Sequence, residues 1–206
     1  MTTAAIVLAG GTSRRFGADK LDASVDGVPL LQRAVSAIPA DWTVIVVGPR
    51  RGLSRTAIFV REDPPGGGPG AAVIAGARAA TAAGATMIAT LPGDAPFGGT
   101  AAVLLARTLA DSPAPVGAVI GVDHAGVDQP LQVAVRGPAL QRLAGLGDSA
   151  GIRARRLLDE LGGAAELVRV GLPSALTADV DRPEDLVAVR RLSRGDFGSV
   201  FSRDRR

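Results

Sequence analysis

Two stretches of this chain hold the residue types that handle phosphate. The first is Leu8-Ala9-Gly10-Gly11-Thr12-Ser13-Arg14-Arg15-Phe16-Gly17-Ala18-Asp19-Lys20. Two adjacent glycines let the backbone approach a ligand closely, and successive N–H groups in such a loop form a concavity suited to phosphate. Arg14, Arg15 and Lys20 add positive charge around it. Lys20 is the sole lysine among the 23 basic residues, all the others being arginine. Arginine presents a planar fork and lysine a compact point charge on a thin stem, so a lysine kept amid arginines points to a role that a fork does not fill. The spacing excludes a Walker A loop, which needs lysine directly after glycine, and it excludes G-x-G-x-x-G. A glycine-rich turn with solvated arginines fits the same residues.

The second stretch is Leu91-Pro92-Gly93-Asp94-Ala95-Pro96-Phe97. Asp94 follows an apolar run and lies between two prolines, which hold its carboxylate where a substrate would lie. A carboxylate with phosphate oxygens and waters is the usual way to hold Mg²⁺, although a turn or helix-capping aspartate looks the same in sequence. Asp63 precedes a run of glycines and prolines at 64–70 that fits a flexible strand-to-helix connection equally well. Later in the chain comes Asp179-Val180-Asp181-Arg182-Pro183-Glu184-Asp185-Leu186. Helix initiation accounts for Pro183, Glu184 and Asp185. Asp179 and Asp181 could still face a metal or a second substrate, which makes Asp181 a candidate metal ligand beside Asp94.

Other chemistries lack parts. Gly147-Asp148-Ser149-Ala150-Gly151 satisfies G-x-S-x-G, but that motif needs a strand before the serine, where this chain reads as helical, and a histidine after it. The only histidine, His124, comes earlier and reads as a surface residue. Ser149 is expected to help start the helix that follows. With no cysteine, disulfides, thiolate metal sites and thiol nucleophiles are excluded.

These residues must be positioned by the rest of the 206-residue chain, of which 47% is hydrophobic and 21% charged. The length suits one domain. Strands are predicted at Ala4–Leu8, Thr43–Val47, Ala57–Val60, Thr86–Leu91, Val116–Val122, Leu131–Val135 and Glu166–Val170. Helices are predicted at Pro29–Ile38, Ala71–Ala83, Thr100–Leu109, Ile152–Leu161 and Pro183–Leu192. Alternating strands and helices imply an α/β fold of three layers with a mostly parallel central sheet. Such sheets bind ligands beyond the carboxyl ends of their strands, here residues 9–20, 61–70, 92–97, 123–130 and 177–182. Residues 1–192 form the domain, and 193–206 read as a basic, flexible tail.

A pI of 10.7 would suit a nucleic-acid protein. However, six arginines and only two acids fall between Arg190 and Arg206, so the rest of the chain is nearly neutral. With aromatics at 3%, there is little for bases to stack on, and no nucleic-acid partner is expected. No apolar run reaches the roughly 18 residues of a membrane span, and Met1-Thr2-Thr3-Ala4 lacks a basic signal region. No membrane partner and a cytoplasmic location are the expectations.

The residues 8–20 resemble the signature L-A-G-G-x-S-x-R-M-G-x-D-K of the MobA-like nucleotidyltransferases, which include the molybdenum cofactor guanylyltransferases. The match has no gap, and its one departure at a fixed position is Phe16 in place of methionine. Residues 91–97 are similar to the family's C-x-C-D-x-P-[FY] and residues 179–186 to its N-[IV]-[ND]-T-P-E-[DE]-L. Residues 61–70 look like its D-x(n)-G-P-L-A-G, with Gly70 where leucine is common. Residues 129–136 resemble its H-P-L-x-A-L-Y-R, with Gln129 at the histidine position. The resemblance implies a Rossmann-like nucleotidyltransferase fold. It places the nucleotide against Leu8, Ala9, Gly10, Gly11, Lys20, Asp63 and Asp94, with Mg²⁺ on Asp94 and Asp181. Lys20, Asp94 and Arg14 are the implied catalytic residues. The implied reaction moves a nucleoside monophosphate, GMP from GTP, to a phosphate-bearing acceptor such as molybdopterin and releases pyrophosphate. Molybdoenzyme-maturation proteins are the implied partners. Gly11 at the fourth position favours guanine. Cytidylyl transfer, guanylyl transfer to another phosphorylated metabolite, and a non-catalytic nucleotide-binding role stand as alternatives.

Overall fold

A computed structural model describes residues 1–11, 16–147, 151–162 and 166–193. The chain begins with β1 (Thr3–Leu8), reaches a single 3-10 turn at Lys20–Asp22, and forms a small hairpin from β2 (Ser24–Val25) and β3 (Val28–Pro29). Then follow α1 (Leu30–Ser36), β4 (Thr43–Val47), β5 (Ile58–Val60), α2 (Pro69–Ala82), β6 (Met87–Pro92), α3 (Gly98–Asp111) and β7 (Val116–Val122). The last elements are β8 (Asp128–Arg136), α4 (Gly137–Gly145), α5 (Ala154–Gly162), β9 (Glu166–Gly171), α6 (Ser174–Thr177) and α7 (Asp185–Ser193).

Seven strands make one sheet in the order β5-β4-β1-β6-β8-β7-β9. Its ladders are parallel except at β8, which runs against both β6 and β7. In β1, Ala5 and Val7 turn to one face, where α1 and α3 supply Leu31, Val35, Leu105 and Leu109. Ala4 and Ile6 turn to the other, against Val73, Ile74 and Ala77 of α2 and Leu140, Leu143 and Leu157 of α4 and α5. A strand covered on both faces has no polar side to display, which is why β1 and β4 read as unbroken apolar runs. The expected three-layer α/β fold is therefore the one observed.

From β1 the chain moves outward through β4 to β5, and then returns to the other side of β1 to build β6. That reversal opens a crevice between β1 and β6 beyond their carboxyl ends, where open α/β sheets bind ligands. A smaller apolar cluster closes one flank of it. Val25, Leu30, Val180 and Val189 are buried there, with Phe16, Phe97 and Leu186 packed against them. Phe16, which departs from the family signature, thus fills an apolar position beside the crevice.

Three local readings shift. Pro29 caps α1 rather than entering its first turn, and α7 begins at Asp185 instead of Pro183. The Asp185 carboxylate accepts from the Asp181 and Arg182 amides at 2.9 and 2.8 Å, so residues 182–184 form the turn that starts the helix. β8 begins three residues earlier than its apolar run, at Asp128. The Asp123 carboxylate closes the preceding turn by accepting from the Ala125 and Val127 amides, both at 2.9 Å, and from the Gln129 side chain at 3.1 Å. His124 is exposed in that turn, as the sequence suggests. The segment that reads as helical before Ser149 is α4, while Ser149 itself and the tail from Arg194 lie outside the described residues.

Gly70 at the start of α2 also has a structural reason. The Ile152 backbone crosses it so closely that an added Cβ would collide with the Ile152 carbonyl, and it would lie 2.8 Å from Ile152 Cγ2. The Gly151 amide, next in line, donates to the Gly67 carbonyl at 3.0 Å. Ile152 occupies the space that a leucine at position 70 would need.

Candidate active site

The first wall of the crevice is the end of β1. Beyond Leu8, the Ala9 amide donates to the Val47 carbonyl at 2.8 Å, while the Leu8 carbonyl accepts from the Gly93 amide at 2.9 Å. Ala9 is thereby fixed and buried, and Gly10 and Gly11 emerge exposed at the sheet edge. Gly48, after β4, has φ +150°, and an added Cβ would meet the Ala9 carbonyl group at 2.6 Å. Only glycine lets β4 pass this close beneath the loop.

The second wall is the turn after β6 that bears Asp94. Its carbonyl accepts from the Val180 amide at 3.1 Å, which draws the 179–181 segment alongside. Val180 is fully buried in the small apolar cluster. In an extended segment alternate side chains take opposite sides, so burying Val180 turns Asp179 and Asp181 together towards the crevice.

Lys20 completes the arrangement. Its Nζ lies 2.5 Å from Asp94 Oδ2 and 3.0 Å from Asp181 Oδ1. Burial pulls the ammonium pKa down, but hydrogen bonds and opposite charge from Asp94 and Asp181 outweigh it, and the net shift is upward. Asp179 responds in the other direction from an ordinary paired carboxylate. Partial enclosure of its carboxyl raises its pKa first, and repulsion from Asp94 and Asp181 adds to that, with Lys20 and a backbone amide offsetting only part. The site thus collects three aspartates around one lysine, with an excess of negative charge at the mouth of the crevice.

Lys20, Asp94 and Asp181 are accordingly brought together, as their shared candidacy required. Asp63 stands exposed after β5, with β4 between that strand and β1. Its neighbour Glu62 comes nearer the glycine loop: its Oε1 lies 4.0 Å from where a Gly10 Cβ would be, and it accepts from the Gly66 amide at 3.1 Å. Arg14 lies outside the described residues. Gln129 is occupied by Asp123, and Asp128 by Arg169 at 2.9 and 3.0 Å, so these side chains brace β8 against the turn and β9.

Sequence reasoning did not single out Glu62 or Arg51. Arg51 Nη1 lies 2.5 Å from Asp19 Oδ2 and 3.3 Å from Asp22 Oδ1, on either side of Lys20. No local pattern signals such a pair, because it joins two loops that only the parallel order of β1 and β4 brings together. Asp179 carried a signal in the apolar residue between two aspartates.

Among the described residues, no group of three or more acidic or histidine side chains forms a cage for a metal ion, and no helix is long and apolar enough to cross a membrane. Chemically, the cluster can bind an anion through Lys20 and the exposed loop backbone while its carboxylates attract a cation.

Comparisons with known proteins agree with this architecture. A molybdenum cofactor guanylyltransferase from Acidiphilium cryptum is 34% identical over 170 residues, covering 76% of this chain and 84% of that protein. The structure of a nucleotidyl transferase from Methanothermobacter superposes with a TM-score of 0.68 at 21% identity, covering 95% of this chain and 99% of that one. Molybdopterin-guanine dinucleotide biosynthesis protein A from Archaeoglobus fulgidus superposes with a TM-score of 0.63 at 16% identity, covering 93% and 98%. The family model of the MobA-like NTP transferase domain matches residues 5–165. With the relative from Acidiphilium covered over most of its length, the chain belongs to the MobA-like NTP transferase family.

Proposed function

We propose that this protein transfers GMP from GTP to molybdopterin carrying molybdenum, forming the guanine dinucleotide cofactor and releasing pyrophosphate. The observation that carries the reading is the meeting of Lys20, Asp94 and Asp181 beside the exposed Gly10-Gly11 loop. The name of the relative from Acidiphilium supports the choice of substrates.

The acceptor's phosphate oxygen attacks the α-phosphorus of GTP, forming a new P–O bond as the bond to the β-phosphate oxygen breaks. An acceptor phosphate is already an anion at neutral pH, so the step needs no histidine or cysteine as base. Positioning and neutralisation of charge can supply the catalysis. The nucleotide lies against Leu8, Ala9, Gly10 and Gly11, with Asp63 contributing from the end of β5. Lys20 turns from the aspartates to the leaving pyrophosphate, and Arg14 is the further catalytic residue of this reading.

Asp94 and Asp181 would hold Mg²⁺. Two carboxylates converging on one ammonium form a donor set that suits this ion, which takes one or two carboxylates and completes its shell with phosphate oxygens and water. Bound there, Mg²⁺ supplies charge neutralisation at the α-phosphate. In this reading the enzyme is cytoplasmic and hands its product to molybdoenzyme-maturation proteins.

The test is pyrophosphate release by the purified chain with each NTP in turn, with Mg²⁺ and with molybdopterin or other phosphorylated acceptors. Release requiring GTP and molybdopterin is the expected result. Release with CTP alone, or with another acceptor alone, would redirect the substrate assignment, and release with none would end the catalytic reading.

A further inference from the structure

Arg51 lies in the loop between β4 and β5, on a platform built to stay still. The Ser54 amide of that loop donates to the Gln32 side chain at 2.9 Å, tying it to α1. Arg55 donates to the carbonyls of Ile38, Pro39 and Trp42 at 2.8, 3.0 and 3.1 Å. From this base Arg51 reaches the turn that carries Lys20.

There it contacts both ends. Asp19 caps the turn by accepting from the Leu21 amide with Oδ1 at 3.2 Å, and its Oδ2 takes Arg51 Nη1 at 2.5 Å. The same nitrogen lies 3.3 Å from Asp22 Oδ1 at the far end. The arginine side chain is only 11% exposed, against 42% and 70% for its two partners. Exposed ion pairs contribute little, but here the cation is the enclosed member. Arg51 Nε is buried with no hydrogen-bond partner among the described residues, and a buried donor left unpaired is unfavourable. The two contacts of Arg51 bracket Lys20 and Leu21, so the arginine holds the turn at both ends despite that cost.

We propose that Arg51 is a positioning residue for Lys20. It fixes the Asp19–Asp22 turn against the end of β4, so that the Lys20 stem leaves it aimed at the crevice, and it acts through Lys20 without touching the substrate. The inference rests on the reading of Lys20 as a ligand of the nucleotide's outer phosphates.

The experiment compares binding of GTP and GMP by calorimetry, with Mg²⁺, to the whole chain, to Arg51→Met, to Lys20→Met and to the double variant. GMP lacks the phosphates that Lys20 would contact. Arg51→Met is expected to weaken GTP about tenfold and leave GMP within about twofold, and the double variant is expected to bind GTP no more weakly than Lys20→Met alone. Arg51→Lys, which keeps the charge without the fork, should fall between wild type and Arg51→Met. Equal losses for GTP and GMP, or losses that add in the double variant, would overturn the proposal. Should Arg51→Met fail to fold by thermal melt, Asp19→Asn loosens the same turn and is judged on the same ratio. A wild-type chain that binds neither nucleotide would overturn the nucleotide reading itself, and this inference with it. A chain that binds GTP but shows no coupling between Arg51 and Lys20 would overturn the inference alone.

Discussion

Lys20 Nζ and Asp94 Oδ2 lie 2.5 Å apart, although the two residues approach from opposite walls of the crevice between β1 and β6. The ammonium offsets the Asp94 charge, and Asp181 on the same ammonium strengthens the hold while leaving the site net negative. On the proposed reading, an incoming triphosphate with its cation would offer each partner a replacement of the same charge type, phosphate oxygens for the lysine and a divalent ion for the carboxylates. The site would then exchange ion pairs as the nucleotide arrives, without stranding a partly enclosed charge.

The narrow stem of lysine matters to that exchange. Arginine at position 20 would keep the charge but present a planar fork, which cannot leave two aspartates and enter between phosphates with the same reach. Lys20→Arg is expected to lower kcat for pyrophosphate release at least about tenfold, a loss typical of a displaced charged contact. Steady-state kinetics with GTP and acceptor measure it, and near-wild-type turnover would remove Lys20 from the mechanism.

The two carboxylates on Lys20 are expected to differ in importance. Asp94 is 21% exposed and anchored through the Val180 amide, whereas Asp181 is 51% exposed. Asp94→Asn should reduce kcat about 100-fold or more. Asp181→Asn should mainly raise the Mg²⁺ concentration needed for half-maximal rate, by about tenfold. Titration of Mn²⁺ by electron paramagnetic resonance gives a readout apart from turnover. Unchanged Mn²⁺ affinity in both variants would place the metal elsewhere.

Asp179 makes the resting protein sensitive to pH. Its carboxyl is raised by partial enclosure and then by Asp94 and Asp181, so the folded chain holds this proton more tightly than the unfolded chain. The stability it contributes is complete below the unfolded value of 3.8 and is lost as pH rises through the folded value. At neutral pH the ionised group is a burden, reduced by water because the residue is exposed. Asp179→Asn in chelator is expected to raise Tm by about 1–2 °C at pH 8 and by nothing at pH 3.5. Thermal melts across that range decide it, and a destabilised variant at pH 8 would reverse the sign.

How much of this was legible in the sequence depends on the range of the interaction. The β1 and β4 runs are buried on both faces, and their boundaries follow from composition almost residue by residue. The start of β8 was not readable, because a side chain six residues away, Gln129 on Asp123, decides where the turn closes. Within the site, Lys20 was conspicuous as a lone lysine and Asp94 as a carboxylate held between prolines after an apolar strand. That the two would touch followed only from the strand order. Arg51 gave no sign at all, being one arginine among 22 whose partners lie in another loop.

Gly70 tests the same point from the opposite direction. The family pattern favours leucine there, and a reading by resemblance alone would judge Gly70→Leu to be a repair. The structure assigns it the reverse sign. The Ile152 carbonyl and its side chain already fill the space, and the Gly151 amide bonded to Gly67 prevents the segment from simply lifting away. Overfilling a packed position costs about 1–3 kcal/mol. Leucine has a higher helix propensity than glycine by nearly 1 kcal/mol, but this cannot offset a backbone collision. Urea denaturation of Gly70→Leu should show a lower midpoint with an unchanged slope. Gly70→Ala should lie between, since its single methyl carbon meets the same carbonyl. A midpoint above wild type in either variant would show that residues 151–153 do not rest on α2 in solution.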